Sequence, residues 1–87
     1  MTHTETVLFA ARNNAITADN AEDGYARIRA LAGVTINNAE LARAVVACLA
    51  LKLIHEPIRL PDGALHCHWT LELTVAGAAA ARALNEK

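Results

Sequence analysis

The stretch ALHCHWTLELT, Ala64 to Thr74, sets a cysteine between two histidines and has two incompatible readings. His66, Cys67 and His68 are either three ligands converging on an ion or three successive residues of a strand. The residues beyond them decide. Leu65, Cys67, Trp69, Leu71 and Leu73 alternate strictly with His66, His68, Thr70, Glu72 and Thr74. That is period two, the pattern of a half-buried strand with Cys67 directed inward and both histidines outward.

Pro61-Asp62-Gly63 precedes this run and reads as a turn. On its near side Ile58 and Leu60 flank Arg59. An even loop of two or four residues pairs Leu60 with Leu65 and Ile58 with Cys67, so that both strands show apolar residues to one side. An odd loop slips the register by one and turns half of them to water. The expectation is a hairpin with an even loop, Arg59 lying across from His66.

Working outward, Thr2 and Glu5 form a capping-box pattern before a helix over residues 3–14, with Val7, Leu8 and Ala11 on one face. Ile16-Thr17 is a β-branched stub of strand. Asp19, with Glu22 three residues on, predicts a second helix start, and Tyr25, Ile28, Leu31 and Ala32 share its inner side. Gly33 suits a left-handed C-terminal position. Asn37 and Asn38 with Glu40 mark a third start. The helix expected there runs over residues 38–54 with an apolar stripe of Leu41, Ala42, Val45, Cys48, Leu49 and Leu53, and Pro57 stops it. Thr74 caps a last, alanine-rich helix from Val75 to about Asn85.

Eighty-seven residues make one domain, and 54% hydrophobic with 20% charged content is that of a folded chain. The formal net charge of −1 gives no global basic field, so nucleic-acid binding requires a local patch. Cys48 and Cys67 lie in different elements and read as reduced core thiols of a cytoplasmic protein. The N-terminus lacks the basic-then-apolar pattern of a signal peptide. The run Ala44 to Leu51 is too short to span a bilayer, so no membrane partner is expected. No phosphate-binding glycine loop, nucleophile elbow or pocketed carboxylate pair points to an enzyme, and no cofactor is implied. A metal site on His66 and His68 needs a third ligand such as Glu72 or His55, and the cation expected across from His66 opposes it.

Three helices and a hairpin, with a strand stub after the first helix, make an α+β layout: a winged helix, its second and third helices forming the helix-turn-helix and its hairpin the wing. Ala30 to Leu84, about two-thirds of the chain, resembles the DNA-binding region of MarR-like and IclR-like winged-helix regulators. The resemblance rests on Leu31-Ala32-Gly33-Val34-Thr35, on the helix end from Leu49 to Ile54, and on Leu73-Thr74-Val75-Ala76-Gly77. The turn between the helices is about two residues longer than in those families, and Val75 stands where proline is common.

The resemblance implies a double-stranded DNA partner, with the third helix in the major groove and the wing on the backbone. Thr35, Asn37, Asn38, Glu40, Arg43, Ala44 and Ala47 are then the groove-facing candidates. Asn bonds bidentately to adenine and Arg to guanine. Arg59 and Lys52 would anchor phosphates, and His66 would assist when protonated. A homodimer would double the few phosphate contacts available, and the first and last helices are the expected dimer surfaces. The plainer reading makes Asn37 and Asn38 helix caps, Arg43 a solvated surface residue and Arg59 a solubilising one. The alternative function is a protein-interaction module. It predicts that Val46, Ala50 and Leu51 remain exposed as an apolar patch on the third helix.

Overall fold

A computed structural model describes residues 1–59 and 68–85. It is α+β, in the order α1 (His3–Ala10), β1 (Ile16–Ala18), α2 (Ala21–Ala32), α3 (Asn38–Ala50), β2 (Ile58–Arg59), β3 (His68–Leu71) and α4 (Val75–Asn85). The three strands form one antiparallel sheet in the order β1-β3-β2.

The alternation expected of residues 64–74 holds over residues 69–72, while Leu73 and Thr74 are both half-buried. Trp69 and Leu71 are buried, Thr70 is half-buried and Glu72 is exposed. β1 pairs Ile16 with Leu71, Thr17 with Thr70 and Ala18 with Trp69. On the other edge, β2 pairs Ile58 with Trp69 and Arg59 with His68. This register is displaced by two residues from the expected one, so Ile58 faces Trp69 rather than Cys67. A shift of two preserves the parity that the apolar pattern demands. The ladder also reaches past the strand ends. Thr70 N–H donates to the Pro57 carbonyl (2.8 Å), His55 N–H to Glu72 (2.9 Å) and Thr74 N–H to Leu53 (3.0 Å), all in one register. The turn at Asp62-Gly63, the Leu60–Leu65 pair, His66 and Cys67 lie outside the described residues.

Helix starts follow the capping chemistry closely. Thr2 and Glu5 form the capping box of α1, Asn37 Oδ1 accepts from Glu40 N–H (2.8 Å), and Thr74 Oγ1 accepts from Gly77 N–H (3.1 Å). At α2 the frame is one residue later than expected. β1 holds Ala18 opposite Trp69, and Asn20, not Asp19, accepts from the Asp23 amide (2.9 Å).

Two helix ends come earlier than expected. α1 stops at Ala10 because Arg12 folds back, its guanidinium 3.7 Å from the Phe9 ring centroid and donating to the Phe9 carbonyl (2.6 Å). α3 stops at Ala50, seven residues before Pro57. There Lys52 N–H donates to Leu49 and Leu53 N–H to Cys48, with Lys52 itself left-handed at φ 60°. This paired closure usually has glycine at the left-handed position; after α2 a glycine does stand there, Gly33 (φ 67°), with the Gly33 and Val34 amides both donating to the Arg29 carbonyl. Thr74 Oγ–H donates to the Lys52 carbonyl (2.7 Å), tying this turn to the start of α4.

α1 is the central helix and touches α2, α3 and α4. Val7 of α1, Ile28, Leu41, Cys48 and Leu71 are the largest fully enclosed side chains of the core among the described residues. Ala44, expected to face outward, is buried, while Leu49 is partly exposed: α3 turns Leu41, Ala44, Val45 and Cys48 toward the core. Leu31, expected inside, is 56% exposed: among the described residues no element covers the last turn of α2 on that side. Gly24 explains where the α2 core face went. A Cβ there would stand 2.3 Å from the Trp69 ring, so the indole lies directly on the helix backbone. Tyr25 meets the same ring edge-on, with centroids 5.8 Å apart.

A Cβ at Gly77 would stand 1.8 Å from the Leu53 carbonyl oxygen, a backbone atom that cannot rotate aside. Gly77→Ala is expected to lower unfolding free energy by about 1–3 kcal/mol. Denaturant titration measures this; an unchanged midpoint would contradict the close seating of α4 on residue 53.

Candidate nucleic-acid interface

The candidate residues gather at the N-terminal end of α3, where the sequence turns sharply after α2. Arg29, in the last turn of α2, donates from Nη1 to the Ile36 carbonyl (3.2 Å) and to Asn38 Oδ1 (2.6 Å). One guanidinium thus holds the connection that separates the two helices. Asn37 is engaged as the cap and Asn38 as the arginine's acceptor, so the capping reading of Asn37 and a structural role for Asn38 both apply. Asn38 Nδ2 keeps its two donors. Thr35 is exposed between the helices.

Glu40 sits between two basic groups: its Oε2 lies 3.1 Å from His3 Nδ1 and its Oε1 3.6 Å from Arg43 Nη1. The Arg43 side chain is 79% exposed, so the second contact contributes little and the guanidinium remains free to move to another anion. Sequence reading missed both Arg29–Asn38 and His3–Glu40. The first joins residues nine apart across a turn and the second joins residues from different helices, so neither leaves a periodic signal.

From this polar end, α3 presents Ala39, Arg43, Val46 and Ala50 outward. Val46 and Leu51 are 65% and 64% exposed, as the protein-interaction reading expected. A groove of about 260 Å³ runs beside them between α2, α3 and the sheet, lined by Tyr25, Val46, Leu49, Glu56, Pro57 and Trp69 among others. Charge is divided along this face. Arg29 and Arg43 stand at the α3 N-terminal end. Glu56 lines the groove, and Glu22 is exposed in the first turn of α2, on one side with Tyr25 and Arg29 by helical spacing. Lys52 is exposed at the C-terminal end of α3. Arg59 is described through its backbone, opposite His68 and not His66.

Cys48 is buried, with Sγ 3.8 Å from the Thr4 carbonyl that it donates to, and burial pushes its thiol up to about 11 from 9.0. Below pH 9 the thiol is neutral in both folded and unfolded chains. Between 9 and 11 the unfolded chain alone ionises, so this group subtracts stability across that window. Among the described residues there is no group of three metal-ligating side chains, and no helix is long and apolar enough to cross a membrane.

Comparison with protein-family models, with curated proteins and with solved structures finds no match to this chain.

In a Cys67→Ser background, Cys48 is expected to react with a thiol reagent on the order of 100-fold more slowly in the folded than in the unfolded chain at neutral pH, because thiolate is the reactive form. Equal rates would contradict its enclosure.

Proposed function

We propose that the chain is a winged helix and acts as a small cytoplasmic DNA-binding transcriptional regulator, a binding protein and not an enzyme. In this reading α2 and α3 are the helix-turn-helix and β2 and β3 lead into the wing. The observation that carries it is the exposed side chain of Arg43 in the N-terminal half of α3, with exposed Thr35 just before that helix and exposed Asn38 at its start.

On double-stranded DNA, α3 lies in the major groove. Arg43 exchanges its weak contact with Glu40 for guanine O6 and N7, and the Asn38 amide donates to a base-edge acceptor. Ala39 and Val46 suit thymine methyl groups, which need an apolar neighbour. Lys52 and Arg59 are the proposed phosphate anchors, assisted by His66. Asn37 contributes through the cap, which aims the first turn of α3, and Glu40 orients Arg43 in the free protein. Two chains acting together supply the phosphate contacts that eight basic residues per chain leave few.

A second reading, a winged-helix protein-interaction module, is favoured by one specific feature. Val46 and Leu49 line an apolar groove whose rim carries Glu56, and a carboxylate on that face repels phosphate. The partner would bring an apolar side chain into the groove and a basic group to Glu56.

A salt-dependent mobility shift on mixed genomic fragments separates the two. The DNA reading predicts binding at low ionic strength that weakens steeply with salt. Arg43→Ala should cost about 1–3 kcal/mol on the preferred site and much less on random DNA, whereas Arg59→Ala should weaken both alike. Absence of binding at low salt would refute the DNA reading and leave the protein module; equal losses from the two variants would refute the assigned roles.

A further inference from the structure

β1 is an edge strand, and the hydrogen bonds of its neighbour fix which way its backbone points. Thr70 N–H donates to Pro57, toward β2, so the amide and carbonyl of Thr70 turn away from β1. In an antiparallel ladder, residues opposite one another either exchange both hydrogen bonds or point both pairs outward. Thr17 stands opposite Thr70 and therefore directs its N–H and C=O to the open edge. By the same alternation, Ile16 and Ala18 bond to β3. Exposed Ala15 and Asp19 flank the strand, one on each side of the alternation, in phase with Thr17.

This edge opens onto two adjoining grooves between β1 and the outer side of α2, of about 400 and 600 Å³. They share Thr17, Arg27 and Ala30. The first, at the Ile16 end, carries Arg12 and half-exposed Leu31; the second, at the Ala18 end, carries Asp19 and Asp23. Charge thus changes sign along the strand, from basic to acidic, with Thr17 at the crossover.

We propose that a second copy of this chain pairs here, β1 against β1 and antiparallel, about a two-fold axis through Thr17. Antiparallel self-pairing sets the basic end of each copy beside the acidic end of the other, which is the self-complementarity that a two-fold interface requires. Thr17 exchanges two backbone hydrogen bonds with Thr17 of the second copy. The two three-stranded sheets become continuous, and the free edge is removed. Arg27, which makes no ion pair among the described residues, meets Asp23 of the second copy, once on each side of the axis. Leu31 is covered against the second copy's outer α2 side. This surface is separate from the α3 face and differs from the helical dimer surfaces expected from sequence. α1 is enclosed by α2, α3 and α4, so it has little face left for a partner.

The test is mass in solution by light scattering across a concentration series, with circular dichroism to verify folding. Wild type is expected to approach twice the 9.3 kDa chain mass. Thr17→Pro removes the outward amide without touching a β1–β3 hydrogen bond and should return the mass to that of one chain. Arg27→Asp alone should do the same by setting carboxylate against carboxylate, and the exchange Asp23→Arg with Arg27→Asp should restore the dimer. A wild-type chain that stays monomeric at every concentration, a dimer indifferent to Thr17→Pro, or an exchange that fails to restore the mass would overturn the proposal. DNA binding by a monomer would leave the α3 reading standing while this one fell.

Discussion

Trp69 seated on the bare backbone of Gly24 is the contact on which the other elements depend. It fixes the distance between the sheet and α2. It also fixes the phase of β3, because an inward Trp69 requires an inward Leu71 and an outward Thr70. From that phase follow both flanking registers, since β3 bonds to β1 through Trp69 and Leu71 and to the returning chain through Thr70 and Glu72. Tyr25 braces the same indole from the side and begins the groove that leads to α3.

Much of this was legible in the sequence because it rests on local chemistry. The alternation from Trp69 to Glu72, the caps at Thr2, Asn37 and Thr74, and the left-handed Gly33 all depend on neighbours within a few residues. What failed to show depended on distant partners. The expected inward Leu31 followed helical periodicity alone, which carries no information about whether another element reaches the end of α2. Ala44 is expected from the resemblance to face the groove, yet its small side chain is buried in the core, which only the placement of the other elements decides. The end of α3 at Ala50 was hidden because Lys52 adopts a conformation that sequence normally signals with glycine or asparagine.

The candidate site divides in the same way. Residues 35–43 were identifiable as a cluster by their position after the turn, but apart from the Asn37 cap their present engagements were not. Arg29 takes Asn38 and stabilises the turn, and His3 reaches Glu40 from another helix. The outer face of α3 therefore combines one exposed guanidinium held only weakly by Glu40, a few donors and an aliphatic strip, with the Glu56 carboxylate on the groove beside it. Under the proposed DNA reading such a surface would make few polar contacts to a duplex, and affinity would come from cations placed around it and from the proposed pairing of two chains.

The most direct measurement is the change in backbone amide resonances as a mixed-sequence DNA duplex is added at low ionic strength. The account predicts that the largest shifts fall on Thr35, Asn38, Ala39 and Arg43, with smaller ones near Lys52 and Arg59, and that added salt reverses them. Shifts confined to α4, or none anywhere in α3, would contradict it.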